Sequence, residues 1–222
     1  MKENILYSWS GGKDSALALY ELKKNSRYNI SSLLTTVVKD YSRSSMHGVR
    51  SELIEQQSKF LGLKLDKVFL SKDESSASYS SKMQLVLERY KRKGVFSVGF
   101  GDIFLEDIKQ YRINNLAKLD MKGVFPLWKK DTLRLAHNFI DLGFKAITTC
   151  VDSRCLNEVF VGRFFDKNFL AELPQGIDPC GENGEFHTFV YAGPIFNETI
   201  RYKKGEIVLR NNRFYFCDLI PA

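Results

Sequence analysis

The chain of 222 residues is 44% hydrophobic and 27% charged, the balance of a globular protein, which excludes a disordered or fibrous one. That length suits one large domain, or an ordinary domain with a smaller one, and supports a core without covalent staples. A net charge of +7 favours anionic partners, and no run approaches the roughly 18 apolar residues of a membrane span.

Residues 1–7 have a lysine but no long apolar run, so a cleaved signal peptide is not expected. Residues 5–9 form a short apolar run ending in a Ser-Gly-Gly turn and read as a buried strand. Residues 15–24 carry Leu17, Leu19, Tyr20 and Leu22 among good helix formers, so a helix opens directly from the turn. A β-branched run at 30–38 reads as the second strand. Leu53, Ile54, Gln57 and Phe60 near one face make 49–61 a helix. Strands follow at 65–70 and 95–99, helices at 76–93 and 105–119, and a short strand at 123–125. Strands and helices joined by short connections indicate parallel βαβ units in a doubly wound sheet, with ligands beyond the carboxyl ends of the strands.

After Trp128 the texture changes. Asp131 caps a helix over 131–142 that stops at Gly143. A strand is expected at 144–151, partial helix over 160–173, and strands at 186–191, 200–209 and 213–220. Asn211-Asn212 reads as the turn of a closing hairpin. The expected organisation is α/β, a Rossmann-type doubly wound sheet over residues 1–128 with a smaller α+β domain over 129–222. Cys150, Cys155, Cys180 and Cys217 form no Cys-x-x-Cys pair, so a reducing, cytoplasmic setting is expected. The lysines are scattered without interleaved aromatics, so nucleic acid is not the expected partner. A homodimer is allowed.

Two segments concentrate chemistry. The first is Ser10-Gly11-Gly12-Lys13-Asp14-Ser15, between a strand and a helix. Gly11 and Gly12 let backbone N–H groups converge on an anion, and the helix N-terminus adds its positive end. Ser10 and Ser15 supply hydroxyls and Lys13 supplies charge. Asp14 is a Mg²⁺ ligand or a brace for the loop. The spacing is not that of the kinase and GTPase P-loop. The second segment is Gly181-Glu182-Asn183-Gly184-Glu185-Phe186-His187-Thr188. Strand alternation puts Glu185 and His187 on one face, where they could hold a metal, position an amine or move a proton. A polar hairpin with a surface histidine has the same pattern. Thr36 near the end of the second strand, His47 beyond it, and Gly101 and Asp102 beyond the fourth strand are further candidates for nucleotide contacts. Arg163 is a candidate for an anionic acceptor or for a salt bridge.

Ser-Gly-Gly-x-Asp-Ser resembles the signature of the PP-loop ATP pyrophosphatases. The resemblance implies an adenine nucleotide alpha hydrolase-like sheet, ATP with Mg²⁺, and release of AMP and pyrophosphate. Together with Gly181-Glu182-x-Gly184-Glu185-Phe186-His187-Thr188, the chain resembles the diphthine–ammonia ligase family over nearly its whole length. That implies an amide ligase using ATP, ammonia and an acceptor carboxylate. It also implies Glu182, Glu185, His187 and Thr188 as site residues; with the candidates read from position, the expected set is Lys13, Asp14, Glu182, Glu185 and His187 as catalytic, Ser10 to Ser15, Thr36, His47, Gly101 and Asp102 as ATP contacts, and Asn183, Thr188 and Arg163 as substrate contacts. Eukaryotic and archaeal members carry Asp/Glu-Tyr-Gln-Arg shortly after the fourth strand, whereas here the run is Gln110-Tyr111-Arg112. This departure resembles a bacterial-like branch, whose acceptor differs because bacteria lack diphthamide. The other readings are an RNA-modifying enzyme of the same superfamily and a non-catalytic ATP or AMP sensor.

Overall fold

The computed structural model describes residues 2–44 and 48–222. The chain enters at the centre of a sheet with β1 (Glu3–Ser8) and crosses over through α1 (Lys13–Lys24) to β2 (Tyr28–Val38). A two-residue β3 (Arg43–Ser44) then pairs antiparallel with the end of β2. The helix α2 (Ser51–Leu61) leads to β4 (Leu65–Leu70) on the outer side of β2. The helix α3 (Ser76–Lys91) returns the chain to β5 (Ser97–Gly99), on the free side of β1. The helix α4 (Glu106–Ala117) and β6 (Lys122–Val124) complete the layer.

The parallel strands thus lie in the order β4-β2-β1-β5-β6. The winding reverses between β1 and β5, and such a switch point opens a crevice at the carboxyl ends of the strands. Both faces of the sheet are covered. Ile5 and Tyr7 of β1 pack with Leu17 and Leu19 of α1 and with Leu53 and Ile54 of α2. Leu6, one residue out of phase, packs on the other face with Leu87 of α3, Leu116 of α4 and Phe100. Burial on both faces explains why β1 reads as a continuous apolar run.

The helix α5 (Thr132–Asp141) starts on Asp131, whose carboxylate accepts from the Arg134 amide at 2.8 Å, and the chain turns at Gly143 with φ +83°. The strand β7 (Lys145–Asp152) follows, then a 3-10 turn at Glu158–Phe160 and the short helix α6 (Lys167–Glu172). The remaining strands are β8 (Phe186–Ala192), β9 (Tyr202–Arg210) and β10 (Phe214–Pro221). They form an antiparallel sheet in the order β8-β7-β10-β9. Asn211 and Asn212, with φ +52° and +48°, close the β9–β10 hairpin as their sequence signals. A single hydrophobic cluster runs from Trp9 and Leu53 through Phe139 and Phe144 to Phe186 and Phe189, so the two sheets share a core.

The partial helix expected over 160–173 is α6, confined to Lys167–Glu172 because residues 163–165 run alongside β7. Gly162 N donates to Thr148 O at 2.8 Å, and Phe165 N to Ala146 O at 2.9 Å. Asp166 then caps α6 by accepting from Phe169 N. The strand β3 is too short for any periodicity to announce it. Among the described residues, no helix is long and apolar enough to cross a membrane.

Candidate active site

The turn after β1 needs its first glycine. Gly11 has φ +82°, and a Cβ there would lie 2.6 Å from Ile54 Cδ1 and 2.7 Å from Gln57 Oε1. Gly12 is the N-cap of α1 and supplies no side-chain cap; Thr188 Oγ1 takes the first amide of that helix, Lys13 N, and the turn opens on the crevice. Hydroxyls hold the turn open: Ser10 Oγ accepts from Gly12 N at 3.2 Å, and Ser15 Oγ accepts from Ser10 N at 3.3 Å. Gly101, beyond β5, approaches from the opposite wall. A Cβ on it would sit 3.0 Å from Ser15 N, so the backbone cradle exists only because that Cβ is missing.

The loop is sewn to the second sheet along the free edge of β8. Lys13 N donates to Thr188 Oγ1 at 3.1 Å, and Val190 N donates to Gly11 O at 2.9 Å. Gln57, fully buried, ties the seam together. Its Nε2 donates to Gly11 O at 3.0 Å and to Val190 O at 2.7 Å, while its Oε1 accepts from Trp9 Nε1 at 2.9 Å. The two sequence signatures, about 175 residues apart, are therefore in direct contact.

The Lys13 ammonium is buried where the two halves meet. It donates to Asp14 Oδ2 at 2.9 Å and to the Cys180 carbonyl, and stands 5.1 Å from the Phe186 ring centre. Burial works against its charge, but Asp14, Cys180 and Glu182 outweigh that and hold its pKa above the ordinary value. Burial also pushes the Asp14 carboxyl up, against the pull of Lys13.

Glu182 spans the crevice. Its Oε1 accepts from Ile103 N at 2.7 Å and from Phe104 N at 3.4 Å, on the segment following β5. Burial raises its carboxyl to about 7, partly opposed by the Ile103 amide. Asp102 pairs with Arg112 of α4 at 2.9 Å, and the Arg112 guanidinium lies 4.5 Å from the Phe100 ring centre.

These walls enclose two chambers. The smaller, about 300 Å³, lies between the loop and β8; the larger, about 450 Å³, lies between α3 and α4 over the ends of β1 and β2. Ser8, Ser10, Phe100 and Arg112 line both, so the chambers adjoin. The larger is walled by Tyr79, Met83, Leu87 and Leu119, which suits a flat apolar ring system. The smaller offers amides, hydroxyls and carboxylates, which suit a charged group undergoing transfer.

From the loop, Ser10, Gly12, Lys13, Asp14 and Ser15 line the smaller chamber. Gly101, Asp102, Glu182, His187 and Thr188 meet them there, and Thr36 lines the larger one. Gly11 stands behind the loop, joined to β8 through its carbonyl. Glu185 and His187 do not converge as strand alternation suggested. The strand β8 begins at Phe186, after Gly184 with φ +88°, and of Glu185 only the carbonyl joins the ladder, accepting from Asp152 N at 2.9 Å. Glu185 turns into the preceding bend, where its Oε1 accepts from Asp178 N at 3.2 Å and Asn183 Nδ2 at 3.0 Å. Asn183 is thus a brace of that bend, and Arg163 pairs with Glu172 of α6 at 2.7 Å. His47 lies outside the described residues.

Sequence reasoning passed over Gln57 and Arg112. An amide on the apolar face of α2 was the available signal for the first; the second closes the 101–112 run. No group of three or more His, Cys, Asp or Glu side chains is placed to hold a metal among the described residues.

The fold and this crevice define an α/β protein with a glycine-rich loop at the switch point of its parallel sheet. More particularly, the chain belongs to the diphthamide synthase family. The N-terminal domain of that family matches residues 1–122, and its C-terminal domain matches residues 131–219. Proteins named diphthine–ammonia ligase are similar to it. The one from Schizosaccharomyces pombe is 29% identical over 149 residues, covering 65% of this chain and 24% of that protein. The Homo sapiens protein is 28% identical over 135 residues, covering 58% of this chain and 49% of its own length. The Bos taurus protein is 30% identical over 132 residues, covering 57% and 48%. The chain therefore matches about half the length, or less, of these curated relatives.

Proposed function

We propose that this protein is an ATP-dependent amide ligase of the diphthine–ammonia ligase type, which activates an acceptor carboxylate by adenylation. The observation that carries this reading is the contact between the glycine loop and the Glu182 to Thr188 run across one continuous crevice. Membership of the family implies use of ATP.

In this reading adenosine occupies the larger chamber beside Thr36, and the phosphates lie on the amides that open α1. The uncapped Gly12 and the backbone cradle opposite Gly101 fit such a group. Asp14 would be the residue to hold a Mg²⁺ ion brought with the nucleotide, since no group of three or more His, Cys, Asp or Glu among the described residues is placed to hold one alone. The ion would supply charge neutralisation.

The acceptor carboxylate attacks the α-phosphorus, the bond to the bridging oxygen breaks, and pyrophosphate leaves. Ammonia then attacks the acyl carbon, AMP departs, and the nitrogen loses a proton. Glu182, with a carboxyl near 7, is suited to take that proton at neutral pH. His187, on the same chamber, orients the amine or the acceptor. Lys13 contributes by holding the Cys180–Glu182 turn against the loop. The departure at Gln110-Tyr111-Arg112 supports a bacterial-like branch whose acceptor is a cytoplasmic carboxylate other than diphthine.

The test is incubation with ATP labelled at the α-phosphate, ammonium and a panel of carboxylates. AMP and pyrophosphate, formed only with acceptor present, support the reading. ADP as the product overturns it. ATP binding with no turnover across the panel favours a sensor, and tRNA binding with a steep salt dependence favours an RNA-modifying enzyme.

A further inference from the structure

Among the described residues, Arg112 of α4 is the cation that lines both chambers. Its guanidinium is held from two sides. Nε lies 2.9 Å from Asp102 Oδ2, and Nη2 donates to Asp102 Oδ1 at 3.1 Å. Cζ stands 4.5 Å from the centre of the Phe100 ring, so the cation rests against an aromatic neighbour. Phe100 and Asp102 flank Gly101, the residue that approaches the Ser15 amide, so one segment both builds the cradle and holds the arginine beside it. Nη1 has no partner among the described residues, and the side chain keeps 31% exposure against 13% for Asp102. A guanidinium fixed along one edge and open along the other is a preorganised donor for an oxyanion. The other cations of the crevice are engaged. Lys13 serves Asp14 and the Cys180 carbonyl, and Lys118, on the larger chamber, donates to Asn115 Oδ1 at 3.1 Å.

We infer that Arg112 holds the α-phosphate of the nucleotide, through the open edge of its guanidinium, at the junction of the two chambers. The inference rests on the functional reading above. With adenosine in the larger chamber and the outer phosphates on the glycine loop, the phosphate next to the ribose is the one that lies between them. Asp102 is then the positioning residue that keeps the fork in place. When the acceptor oxygen bonds to the α-phosphorus, the bridging P–O bond breaks and pyrophosphate leaves with its electron pair. Arg112 exchanges no proton in that step. It stays charged and donates to the non-bridging oxygens, where negative charge gathers. The glycine loop supplies amides and hydroxyls, and α4 supplies the cation that Lys13, drawn into the joint, does not.

Calorimetric titration of the full chain with AMP and with adenosine tests this, because the two ligands differ only in that phosphate. The wild type is expected to bind AMP more tightly than adenosine. Arg112→Gln is expected to weaken AMP roughly 10- to 100-fold and to leave adenosine unchanged. Arg112→Lys keeps the charge without the fork and recovers part of the loss. It also keeps an ion pair with Asp102, so it serves if circular dichroism melting shows Arg112→Gln unfolded. Removing the arginine leaves Asp102 unpaired, and that charge repels a phosphate by itself. The double variant of Arg112→Gln with Asp102→Asn removes this repulsion and is expected to stay nearly as weak for AMP. Recovery of wild-type AMP affinity in the double variant overturns the inference. So does an equal loss for AMP and adenosine, which marks a structural role, or an AMP preference that persists in the folded variants. A wild type with no preference for AMP over adenosine overturns it too. If a non-hydrolysable ATP analogue also fails to bind, the functional reading falls with it; if the analogue binds, only the assignment of Arg112 falls.

Discussion

Replacing Gln57 by leucine keeps the volume of the side chain and removes its amide, which isolates the seam between the loop and β8. The consequences follow from which partners have an alternative. Gly11 O loses one donor but keeps Val190 N at 2.9 Å, so it stays satisfied. Trp9 Nε1 and Val190 O each lose the partner that Gln57 provides, in a place closed to water, since Trp9 is 2% exposed and Gln57 0%. An orphaned buried donor or acceptor costs about 1–3 kcal/mol, so two of them cost roughly 2–6. The apolar surface that leucine brings offsets part of this, leaving about 3 kcal/mol. For a chain of this length that lowers Tm by about 6–12 °C. Urea unfolding and calorimetry measure it, and equilibrium binding of a non-hydrolysable ATP analogue, weakened as the loop loosens, gives a second readout. Gln57→Glu at neutral pH costs more, because a carboxylate then faces two carbonyl oxygens. It recovers at low pH, where the group is protonated and donates again. A Gln57→Leu protein melting within about 2 °C of wild type would falsify the argument that this amide holds the loop to the second sheet.

Other outcomes follow from the same crevice. Gly101→Ala places a methyl 3.0 Å from Ser15 N and 3.1 Å from the Asp14 carbonyl carbon, against backbone that cannot yield. It costs about 1–3 kcal/mol and weakens nucleotide binding measured by calorimetry more than Gly143→Ala, a turn with open space around it. Lys13→Met leaves Asp14 without its cation and the Cys180 carbonyl without its donor. The loss is about 2–3 kcal/mol in urea, below that of a fully buried pair because the Asp14 side chain remains 28% exposed. Glu182 has a carboxyl raised from 4.5 to about 7, so the fold favours its neutral form. Its contribution to stability is fully present below pH 4.5 and is lost as pH rises to about 7. Urea titrations from about pH 4 to 8 are expected to show this slope in wild type and not in Glu182→Gln; equal slopes would remove the assignment.

Much of the architecture was legible because it is written locally. The alternation of strands and helices, the Asp131 cap, the Asn211-Asn212 turn and the glycine loop depend on residues within a few positions of one another. The loop at residues 10–15 and the run at 181–188 each announced chemistry by composition. Their meeting was implied by resemblance alone. Nothing in either segment states that Thr188 receives the Lys13 amide, or that Val190 docks on Gly11.

Tertiary structure decided which side chains serve the crevice. Lys13 follows a phosphate-loop pattern in sequence, yet the packing of Phe165 and Phe186 and the Cys180 carbonyl draw its ammonium into the joint between the halves. Glu185 and His187 have the spacing of neighbours on one strand face, yet only His187 lies within the strand. Gln57 is one polar letter on an apolar face, and its role appears only when α2, β1 and β8 converge on it. Periodicity and turn chemistry act over a single turn or strand and so are readable from the chain. The destination of a long side chain depends on which unpaired carbonyls and ring faces the distant chain brings within reach, and that is set only by packing the two sheets together.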